Sequence, residues 1–260
     1  MQTFLYLKRD EIVERYLPSS DEEVIPGVVW GRVDELFTVA YWLGQYWLRE
    51  NENLPFRHRI GQTFQEEVVA CMLGGHGIPA EVGLAAFERL RDIGLIADVD
   101  VTPEAVADHL RRPLTIGTRQ ITYRFWSRKS THIAATLRSL QEHPPSCVGR
   151  DLRDYLITLP GIGPKTASWI VRNWFGSDEV AILDVHVIRA GKLMGLYSED
   201  DRVERTYHAM ETRFLDLANH MTVSPANPDS LIWSNMRLSP RLVASLFDQP
   251  GKLRHQAAQC

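Results

Sequence analysis

The chain has 260 residues, of which 44% are hydrophobic and 24% charged, with a formal net charge of −4. A chain of that length has room for one large domain or two small ones, and it buries enough surface to fold without a structural metal or disulfide. Its longest apolar runs fall short of the roughly 20 residues of a membrane span. Cys71, Cys147 and Cys260 form neither a C-x-x-C pair nor a zinc or iron–sulfur spacing, and with no secretory segment the expected compartment is a reducing cytoplasm.

In chain order, the first 30 residues carry only weak strand signals. Residues 34–50 (DELFTVAYWLGQYWLRE) keep a broad apolar stripe behind an acidic first turn, which predicts a helix. FQEEVVACML (64–73) predicts a second helix, broken by the GGHG run at 74–77. A third starts near Pro79 and ends at Gly94, and a fourth opens with Thr102 as N-cap and Pro103 at the first helical position. Residues 117–143 read as one basic helix, capped or broken near Gly117. A Pro-rich connection leads to short helices over 151–159 and 164–175. A third of this group starts at about Val185 and a long amphipathic helix covers 199–220. Turns at Pro225 and Pro228 precede a last helix holding Trp233. No repeat and no low-complexity tract interrupts this pattern, so the predicted fold class is all-α.

The net charge alone argues mildly against nucleic acid, but the average hides a contrast. Residues 111–138 hold Arg111, Arg112, Arg119, Arg124, Arg128, Lys129 and Arg138 and no acidic residue. That run is either a positive face for a phosphate backbone or a solvated helix face. Phe125 and Trp126 sit among Arg124, Arg128 and Lys129; such interleaving suits nucleic acid, while the helical spacing suits inward packing.

The segment ITLPGIGPKTASWIV (157–171) places Pro160, Gly161, Gly163 and Pro164 between two helices, a helix–hairpin–helix pattern. Glycines let a loop take positive φ and come close to a ligand. The following helix leaves its first N–H groups unpaired at the positive end of its dipole, so a phosphate can bind there without side-chain charge. The same P-G-x-G also joins helices that bind nothing. Lys165 stands in the first turn, where a cation is mildly unfavourable, and an unfavourable placement suggests a use. It reads as a nucleophile or as a solvated lysine touching phosphate. Nineteen residues on, AILDVHV puts Asp184 at another helix start, where it can cap the helix or face a nearby amine.

LPGIGPKTASWIV followed by LDVHV resembles the signature of the helix–hairpin–helix DNA glycosylase superfamily over about 151–191, with weaker likeness from 64 to 140. The D-V-H run and the absence of an iron–sulfur cysteine set make the chain most similar to the 8-oxoguanine branch, and a lysine at position 165 resembles the bifunctional members of the superfamily. The resemblance implies a bifunctional enzyme that flips out a damaged or modified base, excises it and cuts the strand at the resulting abasic site. It implies that Lys165 attacks C1′ and forms a Schiff base, and that Asp184 helps deprotonate it and opposes the sugar's positive charge. Pro160, Gly161, Gly163 and His186 would contact DNA, as Arg128 and Lys129 of the basic run would. A monovalent cation at the hairpin is implied by the resemblance, while the cysteine and histidine spacings suggest neither an iron–sulfur cluster nor a catalytic metal.

Three weaker assignments follow from the same resemblance. His76 either fills the gap left by the flipped base or is a loop histidine. Trp233 either stacks on that base or belongs to the core, and Asp229 can bond the base edge. The chain departs from the branch in having too few N-terminal residues for a β-rich domain, and in carrying GGHG where an asparagine-rich loop is usual. These departures leave open a bulkier modified base, including one from phage DNA, as in antiviral defence. A non-catalytic DNA-binding module is the reading from another class, and a monofunctional glycosylase, which releases the base without Lys165, is a third.

The expected layout is two helical lobes with a DNA-binding cleft between them. Residues 1–61 would pack with the C-terminal helices, 62–176 would form a central lobe including the hairpin (151–176), and 177–260 would carry the catalytic aspartate. The expected partner is double-stranded DNA, the expected state a monomer, and the expected place the cytoplasmic nucleoid.

Overall fold

A computed structural model of the protein describes residues 1–50, 59–75 and 77–238. In chain order come β1 (Gln2–Lys8), β2 (Glu11–Leu17), β3 (Glu23–Ile25), β4 (Val28–Val29) and α1 (Val39–Glu50). Then follow α2 (Phe64–Leu73), α3 (Ala80–Asp92), α4 (Pro103–Arg111), β5 (Leu114–Ile116), β6 (Arg119–Ile121) and α5 (Trp126–Glu142). The last five are α6 (Gly149–Ile157), α7 (Pro164–Phe175), α8 (Val185–Leu193), α9 (Val203–His220) and α10 (Ala226–Leu238). The fold is helical, and the described strands pair only as three two-stranded antiparallel hairpins. No described helix is long and apolar enough to cross a membrane.

The chain divides into two compact units, residues 57–182 and residues 1–56 with 183–260. In the first, α2 runs through the centre, with Val68, Val69, Met72 and Leu73 without exposed surface. A capping box between Thr63 and Glu66 starts it. The Glu67 carboxylate is buried among satisfied donors, accepting from Ile60 N, Gly61 N and Asn173 Nδ2 of α7. The α2 helix is thereby tied to α7. The α6–α7 pair is held from another side by α5, where Thr136 Oγ1 donates to Pro160 O at 3.1 Å.

In the second unit, β1 and β2 pair from Gln2↔Leu17 to Lys8↔Glu11. Arg9 and Asp10 turn the corner at positive φ, as a two-residue hairpin requires. One sheet face packs on α1, where Phe4 meets Trp47, and α1 packs in turn on α10. The α8 and α10 helices also pack together.

Several predicted boundaries differ from those observed, among them α6, which covers 149–157 rather than 151–159, and α10, which begins at Ala226 with Pro228 inside its first turn. The first helix begins at Val39 rather than Asp34, because Phe37 sits at φ 69° and Thr38 Oγ1 accepts from Tyr41 N as the cap. The ninth begins at Val203 rather than Glu199, because Ser198 N and Oγ both donate to Asp201 Oδ2 and hold a turn there. The basic segment is not one helix from Gly117. Gly117, at φ 60°, turns the β5–β6 hairpin, and helix resumes only at Trp126. Thr115 and Gln120 face each other across that hairpin with a side-chain hydrogen bond of 2.9 Å, a cross-strand pairing that helical spacing conceals.

Candidate functional site

The 158–163 hairpin sits in the 57–182 unit. Leu159 O accepts from Ile162 N, and Ile162 is buried, so the loop is anchored at its centre. Gly161 has φ +77°, and a Cβ built there would lie 2.2 Å from Nδ1 of His132 on α5. A glycine is required at that position on both counts. Gly163 differs. Its φ of −96° suits any residue, and a Cβ would meet nothing within 4 Å. Neither backbone nor neighbours demand glycine there, so the open side of the loop is where a ligand could approach.

Gly163 caps α7 without a side-chain acceptor, Pro164 follows, and the first intrahelical bond is Ala167 N to Gly163 O. The N–H groups of Lys165 and Thr166 precede that bond and point out of the helix end. The arrangement can hold an anionic oxygen, and the 12-residue helix adds its dipole.

Lys165 is partly buried, and among the described residues its amine has neither a hydrogen bond nor an ion pair. Its Nζ lies 5.4 Å from the ring centre of Trp169, one turn further along α7. Arg128 is exposed, with its guanidinium 5.7 Å from the Phe125 ring, and Arg124 lies 5.1 Å from the same ring. Lys129, expected to face DNA, instead points inward and donates to Met72 O at the end of α2. Burial, with Arg128 beside it, lowers its amine below the usual lysine value. The rest of the basic run is also partly neutralised: Arg111 pairs with Asp108, and Arg119 lies 4.0 Å from Glu81. His76 lies outside the described residues.

His132, over Gly161, has its imidazole pushed below the ordinary value by burial and then by Lys129 and Arg128. The unfolded chain therefore takes up this proton first, at about pH 6.5. Stability is intact above that pH and falls as pH drops toward the lower folded value. Replacing His132 with Asn is expected to make the fall in melting temperature between about pH 7 and 5 shallower, as scanning fluorimetry across that range would record. An equal slope in both proteins would rule His132 out as the cause.

Asp184, His186, Asp229 and Trp233 belong to the other unit. Asp184 caps α8 through one oxygen: Oδ1 accepts from His186 N and Val187 N, each at 2.9 Å. Oδ2 takes part in neither bond. His186 is partly buried in the first turn of α8. Asp229 is buried, with Ser230 Oγ donating to its Oδ1 at 3.2 Å. Trp233 is 36% exposed and carries the Arg237 guanidinium 4.6 Å over its ring, so it is not a core residue.

Sequence reasoning missed Trp169, His132 and Thr136, which buttress the hairpin and its lysine. Only Trp169 left a signal, its spacing of four from Lys165.

Comparison with known proteins bears on this arrangement. The family model for 8-oxoguanine DNA glycosylase matches residues 49–223. Endonuclease III homolog 2, chloroplastic, of Arabidopsis thaliana is 30% identical over 131 residues, 50% of this chain and 31% of that protein. The chain thus spans about a third of the length of the curated relatives it matches. A trapped endonuclease III–DNA covalent intermediate superposes with a TM-score of 0.57 at 20% identity, over 75% of this chain and 83% of that one. The 8-oxoguanine DNA glycosylase of Thermotoga maritima superposes with a TM-score of 0.55 at 24% identity, over 75% of this chain and 95% of that one. At those identities the two structures speak for the fold.

Proposed function

The chain belongs to the 8-oxoguanine DNA glycosylase family of helix–hairpin–helix proteins, and from that premise we propose that it is a bifunctional glycosylase and abasic-site lyase. It takes a damaged or modified base out of duplex DNA, with 8-oxoguanine-like bases favoured, and excises it. The observation that carries this reading is Lys165: an amine without a hydrogen bond or ion pair among the described residues, in the first turn of a helix whose N–H groups and open Gly163 suit a phosphate.

In this reading the Lys165 amine attacks C1′, and the bond from C1′ to the base breaks with its electron pair leaving on the base, which is then protonated. Opening of the sugar ring yields the imine and a protonated O4′. Loss of a C2′ proton then expels the 3′ phosphate with the C–O electron pair, and water releases the lysine. Asp184 accepts the amine proton and opposes the positive charge that grows on the sugar. His186, the hairpin and the exposed Arg128 hold the flanking phosphates. An alkali cation at the hairpin would be held by loop carbonyls and would help neutralise a phosphate. Of these, Leu159 O and Pro160 O each keep one lone pair after accepting from Ile162 and Thr136.

Two experiments test the reading. Borohydride reduction of the wild-type protein on a duplex with an abasic site is expected to give a covalent adduct. Mass spectrometry of bases released from a panel of lesion duplexes and modified phage DNA is expected to find 8-oxoguanine or a close relative. Release from phage DNA alone would move the substrate to its bulkier modified bases. Tight binding with no adduct and no released base would leave a DNA-binding module.

The two hairpin glycines separate support from contact. Gly161→Ala is expected to cost about 2 kcal/mol, from positive φ and the overlap with His132. Gly163→Ala is expected to cost no more than about 1 kcal/mol, as a poorer cap, and still weaken duplex affinity about tenfold by blocking close approach to a phosphate. Chemical denaturation and fluorescence anisotropy measure the two quantities. An unchanged affinity in Gly163→Ala would remove the hairpin from the DNA interface.

A further inference from the structure

Gly74 ends α2 at φ −85° and ψ −174°, extended backbone that any residue adopts. Its glycine therefore has no conformational cause. The cause is steric: a Cβ there would lie 3.0 Å from Cη2 and 3.1 Å from Cζ3 of Trp169. The same indole carries the Lys165 amine over its ring, at 5.4 Å from the centre, within the range of a cation–π contact. Lys165 and Trp169 are four residues apart and share one face of α7. The indole is partly buried against the core of the unit, with Gly74 at one edge and the amine beside its ring.

The backbone under Gly74 is held from several directions. Gly74 N donates to Ala70 O at 3.2 Å. Tyr123 OH donates to Leu73 O at 2.8 Å and Lys129 Nζ to Met72 O at 2.5 Å. On the α3 side, a Cβ on Gly83 would already be 3.1 Å from Leu73 O. A side chain added at Gly74 would thus displace the indole rather than the backbone.

We propose that Trp169 is a positioning residue: its indole, seated against the Gly74 backbone, holds the Lys165 side chain where the amine attacks, so the end of α2 and the nucleophile are mechanically linked. The proposal rests on the reading of Lys165 as nucleophile and adds what places it. Among the described residues no hydrogen bond or ion pair holds the amine; its contact is with the Trp169 ring. A four-carbon side chain released from that contact samples several rotamers, and only a fraction of them point at C1′.

The test is the single-turnover rate constant for borohydride trapping on an abasic duplex, measured beside duplex affinity and melting temperature. Trp169→Leu is expected to lower the rate constant about 10- to 100-fold with affinity kept within about twofold. Trp169→Phe, which keeps a π face, is expected to recover most of the rate. Gly74→Ala is expected to slow trapping in the wild-type background. It should have no further effect in Trp169→Leu, and should be relieved by the smaller ring of Trp169→Phe. If Trp169→Leu does not fold, the Gly74→Ala and Trp169→Phe pair still decides the matter. Wild-type rates in Trp169→Leu, or an equal loss from Gly74→Ala in every background, would overturn the proposal. Trapping that survives in Lys165→Gln would instead overturn the reading beneath it.

Discussion

Lys165→Gln is expected to abolish borohydride trapping and strand cleavage, lowering the rate by on the order of 10⁴-fold or more, since no other group replaces a covalent nucleophile. Glutamine keeps most of the length and polarity of lysine but cannot form an imine. Lys165 has no hydrogen bond or ion pair among the described residues, so its loss breaks none there. Melting temperature should stay near that of the wild type. Duplex affinity should fall only a few-fold, as expected for one lost cation. The competing role makes a different forecast. If Lys165 is only a phosphate contact, wild-type protein forms no adduct, and the substitution reduces the salt dependence of binding by about one unit of log–log slope.

Asp184→Asn is expected to keep the fold and lose the chemistry. Asparagine caps helices about as well as aspartate, and its amide oxygen can accept from His186 N and Val187 N as Oδ1 now does. Stability should therefore change by less than about 0.5 kcal/mol, whereas Asp184→Ala should cost about 1 kcal/mol. Base release and trapping should fall about 10²- to 10⁴-fold in both variants, because a neutral amide neither takes the amine proton nor opposes the sugar's charge. The pair of measurements, denaturation beside single-turnover rate, separates the two roles open to an aspartate at a helix start. Wild-type rates in Asp184→Asn would make capping its whole role.

Much of the helical fold was legible because its signals are local. Thr102 and Pro103 start α4 as their spacing predicts, and Pro164–Phe175 is helix between a Gly163 cap and a left-handed Gly176. The β5–β6 hairpin was not legible. Two three-residue strands lack the length to display alternation, and the basic residues around them fit a helix face equally well.

At the candidate site the sequence by itself determined the glycine pair, the proline-led helix start, the lysine in its first turn and the aspartate cap. The turn at Gly161, the proline-led start and the cap depend on φ preference, a missing N–H and a side chain reaching two or three residues along the chain. Only the tertiary structure decided how Gly161 differs from Gly163, since His132 fills the space beside one and nothing fills the space beside the other. It alone turned Lys129 from the basic run inward to Met72, 57 residues away, and set Trp169 between Gly74 and Lys165. Contacts between residues so distant in sequence are selected by packing of the whole core, where side-chain volume and burial outweigh local preference.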